Sequence, residues 1–110
     1  MPPSDLKKGS TELLILALLE ARPGHGYDVA RRLDVRTRGV VRLSLAALYP
    51  LLYRMESRGW IAARWIEKPG ERRTRQYRLT AAGRKVLAAQ RSTWEAFVAA
   101  VNRVVAVRNA

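Results

Sequence analysis

The chain has 110 residues, enough for one compact domain and too few for two. Hydrophobic residues make up 48%, so the net charge of +12 belongs to a folded basic domain and not to a disordered polyelectrolyte. Cysteine is absent and His25 is the single histidine, which excludes disulfides, thiolate metal sites and thiol nucleophiles and leaves most catalytic constellations without parts.

In chain order, residues 1–8 read as a flexible N-terminal arm with two prolines and two lysines. Gly9 and Ser10 are positioned to cap a first helix, with Glu12 near the positive end of its dipole. Leu13 to Leu19 are apolar on every side, so this helix needs cover on more than one face, and Leu14 is a candidate for contact with a second subunit. The run is far short of the ~18 residues of a membrane span. Lys7 and Lys8 before it imitate a signal peptide, but Glu12 and Glu20 bracket it and arginine-rich helical sequence follows, so no membrane partner and a cytoplasmic location are expected. Arg22-Pro23-Gly24 stops the helix, and a second, shorter one is expected from Gly26 to about Leu33.

Ser44 reads as the N-cap of a third helix that ends with Gly59 at C′. Leu48, Leu51, Leu52 and Met55 keep a helical spacing, while Pro50 breaks the local rule at a cost of roughly 3 kcal/mol. From Trp60 the period switches to two. Ile61, Ala63 and Trp65 form one arm of a hairpin, Lys68-Pro69-Gly70-Glu71 its turn, and Arg75, Tyr77 and Leu79 the return. Thr80 can cap a last helix reaching about Val107. Leu87, Trp94 and Val101 recur every seven residues, Phe97 and Val104 repeat the interval, and Val98 and Val105 widen the stripe. The first 79 residues cannot bury all of it, so a homodimer is expected, with Leu14, Leu87, Trp94, Val98, Val101 and Val105 at its seam.

Three helices and then a basic two-stranded hairpin is the order of a winged helix-turn-helix, with its third helix in the major groove and its wing on adjacent backbone. The fold class expected is therefore mainly α with a small β-hairpin wing: residues 9–79 form the DNA-binding domain and residues 80–110 the dimerisation helix. Charge placement agrees, because residues 36–79 hold eleven basic against three acidic residues, a net +8 of the +12. Arginine outnumbers lysine 17 to 4, which favours bidentate contacts to phosphate or guanine. A GC-rich genome would also enrich arginine, but it would not gather the excess between the third helix and the hairpin.

These residues resemble the PadR-like transcriptional regulators, in particular the short members without an extra C-terminal domain. The resemblance spans about residues 6–106. It is carried by the Leu13–Leu19 run, His25-Gly26-Tyr27, the segment Ser44-Leu45-Ala46-Ala47-Leu48-Tyr49-Pro50-Leu51-Leu52-Tyr53-Arg54-Met55-Glu56, Arg72-Arg73-Thr74-Arg75-Gln76-Tyr77 in the wing, and Ala82-Gly83. It implies a dimeric repressor that binds a palindromic operator in double-stranded DNA and releases it when a small molecule binds. Pro50 is what the family shows in its recognition helix. Ser44, Ala46, Ala47 and Tyr49 match the start of that helix, although Ala46 and Ala47 replace residues that are more often Gly or Glu and then Ser or Thr. A thymine methyl can still be met there, but a hydrogen-bonding reader is gone.

The DNA-binding candidates are thus Ser44, Ala46, Ala47, Tyr49, Tyr53 and Arg54 on the helix, with Arg72, Arg73 and Arg75 on the wing. Tyr49 and Tyr53 read either as DNA-facing or as core aromatics. Arg58 can pair with Glu95, and His25 reads as a helix-terminal residue with no second ligand or nucleophile beside it. For Trp94 the resemblance implies more than packing, since ligand-binding short members line a cavity at the dimer interface with a tryptophan of this helix. Leu87, Gln90 and Phe97 would be its neighbours in a slot for a small hydrophobic or aromatic effector. No metal, cofactor or enzymatic activity is expected. The alternatives are a constitutive or architectural DNA-binding protein with Trp94 as plain core, and a membrane-surface protein that uses the basic face of the last helix.

Overall fold

The computed structural model describes the backbone of residues 3–105 and the side chains of residues 9–105. In chain order the elements are α1 (Pro3–Ala21), β1 (Gly24–His25), α2 (Gly26–Arg36), α3 (Leu45–Ser57), β2 (Ile61–Ile66), β3 (Thr74–Leu79) and α4 (Ala81–Val105). The architecture is a winged helix with a long C-terminal helix.

α1 is the central helix. Ile15, Leu16, Leu18 and Leu19 are buried and Leu13, Leu14 and Ala17 pack against the same core, so most of its all-round apolar run is covered within one protomer. It starts earlier than its sequence suggests. The backbone of residues 3–8, expected as a loose arm, is already helical, and Gly9 and Ser10 lie inside the helix and do not cap it. Pro3 at the first helical position explains this, since proline is pre-set for a helix start and its missing N–H needs no partner there. Residues 1–2 and 106–110 lie outside the described residues, including the expected last turn to Val107. The C-terminal end of α1 is closed by Arg32 of α2, whose guanidinium donates to the carbonyl oxygens of Leu18 and Arg22.

α2 runs three residues beyond the expected Leu33. His25 is its N-cap, its Nδ1 accepting the Asp28 backbone N–H at 3.1 Å. Just before it, Gly24 and His25 form a strand that sequence reading does not reveal: β1 pairs with β3 opposite Tyr77 and Gln76. The sheet is therefore three-stranded, in the order β1-β3-β2, and the hairpin's return arm is its centre.

β2 and β3 are antiparallel, pairing Ile61 with Leu79, Ala63 with Tyr77 and Trp65 with Arg75. Directly opposed residues share a face, so this set is the side turned toward the helices. Ile61, Tyr77 and Leu79 are buried there, whereas Trp65 lies further out along the wing and is 55% exposed. The turn forms where proline and glycine place it, with Glu71 N–H donating to the Lys68 carbonyl and Gly70 at φ +76°.

α4 is capped by Thr80, whose hydroxyl oxygen accepts the Gly83 N–H at 3.0 Å. Gly83 is held against the Trp60 carbonyl so closely that any Cβ would collide with it. Leu87 enters the core, and Arg91 pairs with Glu20 of α1 at 3.0 Å. Beyond that ion pair the helix leaves the body of the protomer.

Candidate nucleic-acid interface

α3 has two unlike faces. Leu48, Leu52 and Met55 are buried in the common core, where α3 lies against α2 and β2. On the opposite side Ala46, Ala47, Pro50, Tyr53 and Ser57 are exposed, following the helical repeat. Ser44 caps the helix as expected, its Oγ accepting the Ala47 N–H at 3.1 Å, and Gly59 follows the last turn with φ +79°. Pro50 sits on the exposed face, so the carbonyl it leaves without an intrahelical donor, that of Ala46, belongs to an exposed residue and not to the core. The local rule is broken where water makes the breach cheapest.

The two tyrosines differ. Tyr49 is half-buried, and a Cβ on Gly26 would stand 2.7 Å from its ring, so the tyrosine packs on the first residue of α2. Tyr53 stacks on it with ring centroids 6.0 Å apart and is 53% exposed. Of the pair, Tyr53 is the one available to a partner. Arg54 is half-buried, its Nε enclosed with no partner among the described residues. Arg58 does not meet Glu95; it pairs with Glu12 at 3.7 Å and lies over the Trp60 ring at 5.0 Å.

The three wing arginines are not equivalent either. Arg72 is exposed and forms no ion pair among the described residues. Arg73 lies over the Trp65 ring at 4.4 Å and pairs with Glu67 at 3.0 Å, but both partners are more than half exposed, so water and salt weaken that pair. Arg75 points back to α3 and donates to Glu56 at 2.7 Å, with both side chains about a third exposed or less. Burial works against its charge, but the Glu56 carboxylate and the Tyr77 hydroxyl outweigh that and hold its pKa above the ordinary guanidinium value. Arg64 and Arg78 are exposed on strands β2 and β3. The uncharged exposed face of α3 thus lies between the arginines of the α2–α3 connection (Arg38, Arg42) and those of the wing.

α4 carries the other expected site. Trp94 and Phe97 are in contact, ring centroids 5.8 Å apart, and Trp94, Val98 and Val101 are each a little over one-third exposed, with Val105 at 63%. Gln90 is half-buried, its Oε1 enclosed without a partner among the described residues. Leu87 must be removed from both the seam and the effector slot. It is fully buried in the protomer's own core, because α4 still lies against α1 at that point. Leu14 is half-buried and packs on the same core, which leaves only part of it for any second subunit. Among the described residues no three His, Asp or Glu side chains form a group that could hold a metal ion, and no helix is long and apolar enough to cross a membrane.

The model of the transcriptional regulator PadR-like family matches residues 15–89, from the second half of α1 to the anchored part of α4. The chain belongs to the PadR-like transcriptional regulator family. It is similar to a transcriptional regulator from Clostridium thermocellum, 25% identical with a TM-score of 0.81 over 90% of this chain and 96% of that one. A PadR family transcription regulator from Clostridium difficile is 27% identical with a TM-score of 0.75, covering 86% of this chain and 96% of its own. Another from Eggerthella lenta is 27% identical with a TM-score of 0.79 over 94% and 88%. An uncharacterised protein of Lysinibacillus sphaericus is 26% identical over 91 residues, 83% of this chain and 84% of that protein. Membership of this PadR-like family implies regulation of transcription through DNA, and families of this kind are generally not enzymes.

Proposed function

We propose that the protein is a cytoplasmic, homodimeric repressor that reads a palindromic operator with α3 and the wing. The observation that carries it is the pairing of an uncharged exposed helix face with flanking arginines. Small side chains at Ser44, Ala46 and Ala47 let the helix enter a major groove, Tyr53 meets bases or sugar at its edge, and Arg72 and Arg73 neutralise phosphates. A second copy covers Trp94, Val98, Val101 and Val105, since a single protomer leaves this stripe in water. Two recognition helices must then stand about 34 Å apart to dock in successive major grooves. A flat hydrophobic effector between the paired α4 helices, against Trp94 and Phe97 and within reach of Gln90, changes that separation and releases the operator.

Fluorescence anisotropy on the duplex upstream of the protein's own gene, against a base-shuffled duplex of equal length, tests this. The expected result is a preference of about a hundredfold at ~0.15 M salt, saturating at two chains per site. Equal affinity for both duplexes, falling together as salt rises, would instead describe an architectural binder or an operator located elsewhere. Effector sensing is tested separately: a ligand that quenches tryptophan emission and leaves operator affinity unchanged refutes the release mechanism.

A further inference from the structure

Eleven basic residues lie between positions 36 and 79, and each would count as a phosphate contact if charge alone mattered. Arg75 stands apart from them. The strand register puts it on the helix-facing side of β3, in line with the buried Tyr77 and Leu79 and opposite Trp65. Its guanidinium lies 6.0 Å from the Trp65 ring and 5.7 Å from the Tyr77 ring, and its terminal nitrogen reaches Glu56, 19 residues away on α3, at 2.7 Å. The distance and partial burial make this a charge-assisted hydrogen bond that is better shielded from water than the exposed Arg73–Glu67 pair.

A phosphate that recruited Arg75 would have to separate it from Glu56, leaving a half-buried carboxylate without its cation beside a polyanion. Both changes are unfavourable. As a pair the two residues add no net charge to the DNA-facing field. What they do is join the last turn of the recognition helix to the outer end of the wing's return strand, beyond the point where Ile61 and Leu79 hold the sheet to the core.

We infer that Glu56 and Arg75 form a clamp that fixes the angle between recognition helix and wing, so that Arg75 is a positioning residue and not a DNA contact. The inference rests on the DNA-binding function proposed above. It deepens that function by assigning operator affinity to an acidic residue. A protein that gains affinity for a polyanion from a carboxylate runs against simple charge counting, and this makes the clamp testable.

The test is anisotropy on the upstream duplex with the full chain carrying Glu56→Gln, Glu56→Asp, Arg75→Gln and the Glu56→Gln/Arg75→Gln pair, with thermal melts to confirm folding. The clamp predicts that Glu56→Gln weakens binding about five- to twentyfold although it removes a negative charge, and that the double variant binds no worse than either single one. Glu56→Asp keeps every charge and shortens the reach, so it must also weaken binding; it serves as the fold-safe variant if Glu56→Gln is unstable. Tighter binding by Glu56→Gln, unchanged binding by Glu56→Asp, or a double variant that adds the two single effects overturns the clamp and returns Arg75 to the phosphate contacts. A wild-type protein with no affinity for any duplex would instead refute the DNA-binding function, whatever the variants do.

Discussion

Tyr77 illustrates how a single side chain ties the wing to the core. Its ring is fully buried, and its hydroxyl is enclosed without hydrogen-bond geometry to any described group. Burial raises its pKa above the ordinary phenol value, with Arg75 pulling in the opposite direction. Because the folded state holds the proton more tightly than the unfolded chain, this part of the stability is intact below about pH 10 and is lost as pH rises through the folded value. Tyr77→Phe should therefore be neutral or stabilising by up to about 1 kcal/mol at neutral pH, and should blunt the alkaline fall in melts recorded from pH 8 to 11. Tyr49 and Tyr53 separate in a different way. Tyr53→Ala should leave the melting temperature nearly unchanged and weaken operator binding about tenfold, whereas Tyr49→Ala should lower stability by about 3 kcal/mol through loss of its packing on Gly26. Melts and anisotropy on the same two variants check both halves.

At the scale of elements, local chemistry was legible where one residue decides an outcome. Ser44, Thr80, Gly59 and the Pro69-Gly70 turn all act as their sequence context indicates. The period-two pattern from Ile61 to Leu79 also held the information that Arg75 shares a face with Tyr77 and Leu79, and hence points inward. Proximity along the chain groups Arg75 with Arg72 and Arg73 and hides that difference. β1 was not legible, because two residues have no periodicity and their pairing with β3 depends on a contact more than 50 positions away. The start of α1 was obscured because two prolines and two lysines read as an arm, whereas Pro3 serves as the first helical residue. Gly83 shows what a family-like Ala-Gly step is for. With the Trp60 carbonyl in the place of its missing side chain, Gly83→Ala should cost about 1–3 kcal/mol by forcing α4 off the sheet, measurable by urea or thermal unfolding.

Across the whole molecule, two kinds of surface are kept apart. Cations cluster around α3 and the wing, while the exposed apolar residues of α4 run away from the body, contributing to a long axis of 55 Å against 28 and 23 Å. The apolar stripe of α4 was legible as a heptad, but the sequence could not show where along the helix the chain's own core ends and the exposed part of the stripe begins. Leu87 falls on the inner side of that boundary because Gly83 and the Arg91–Glu20 pair press the first turns of α4 onto the body. Val98→Asp with Val101→Asp should accordingly give a folded monomer with unchanged circular dichroism, half the sedimenting mass and operator affinity reduced by a hundredfold or more.

The completeness of the core within one protomer has a consequence for dosage. From Ile15 to Leu87, the buried side chains of one chain pack on one another into a continuous core. Subunits that pair through α4 alone would then exist as folded singles at low abundance. Below the pairing constant, the fraction of occupied operators would grow with the square of protein concentration, not in proportion to it. For a repressor of the kind proposed above, the projecting end of α4 would thereby give a cell a threshold: small fluctuations in a scarce regulator would be filtered out, and modest increases in its synthesis would close the promoter sharply.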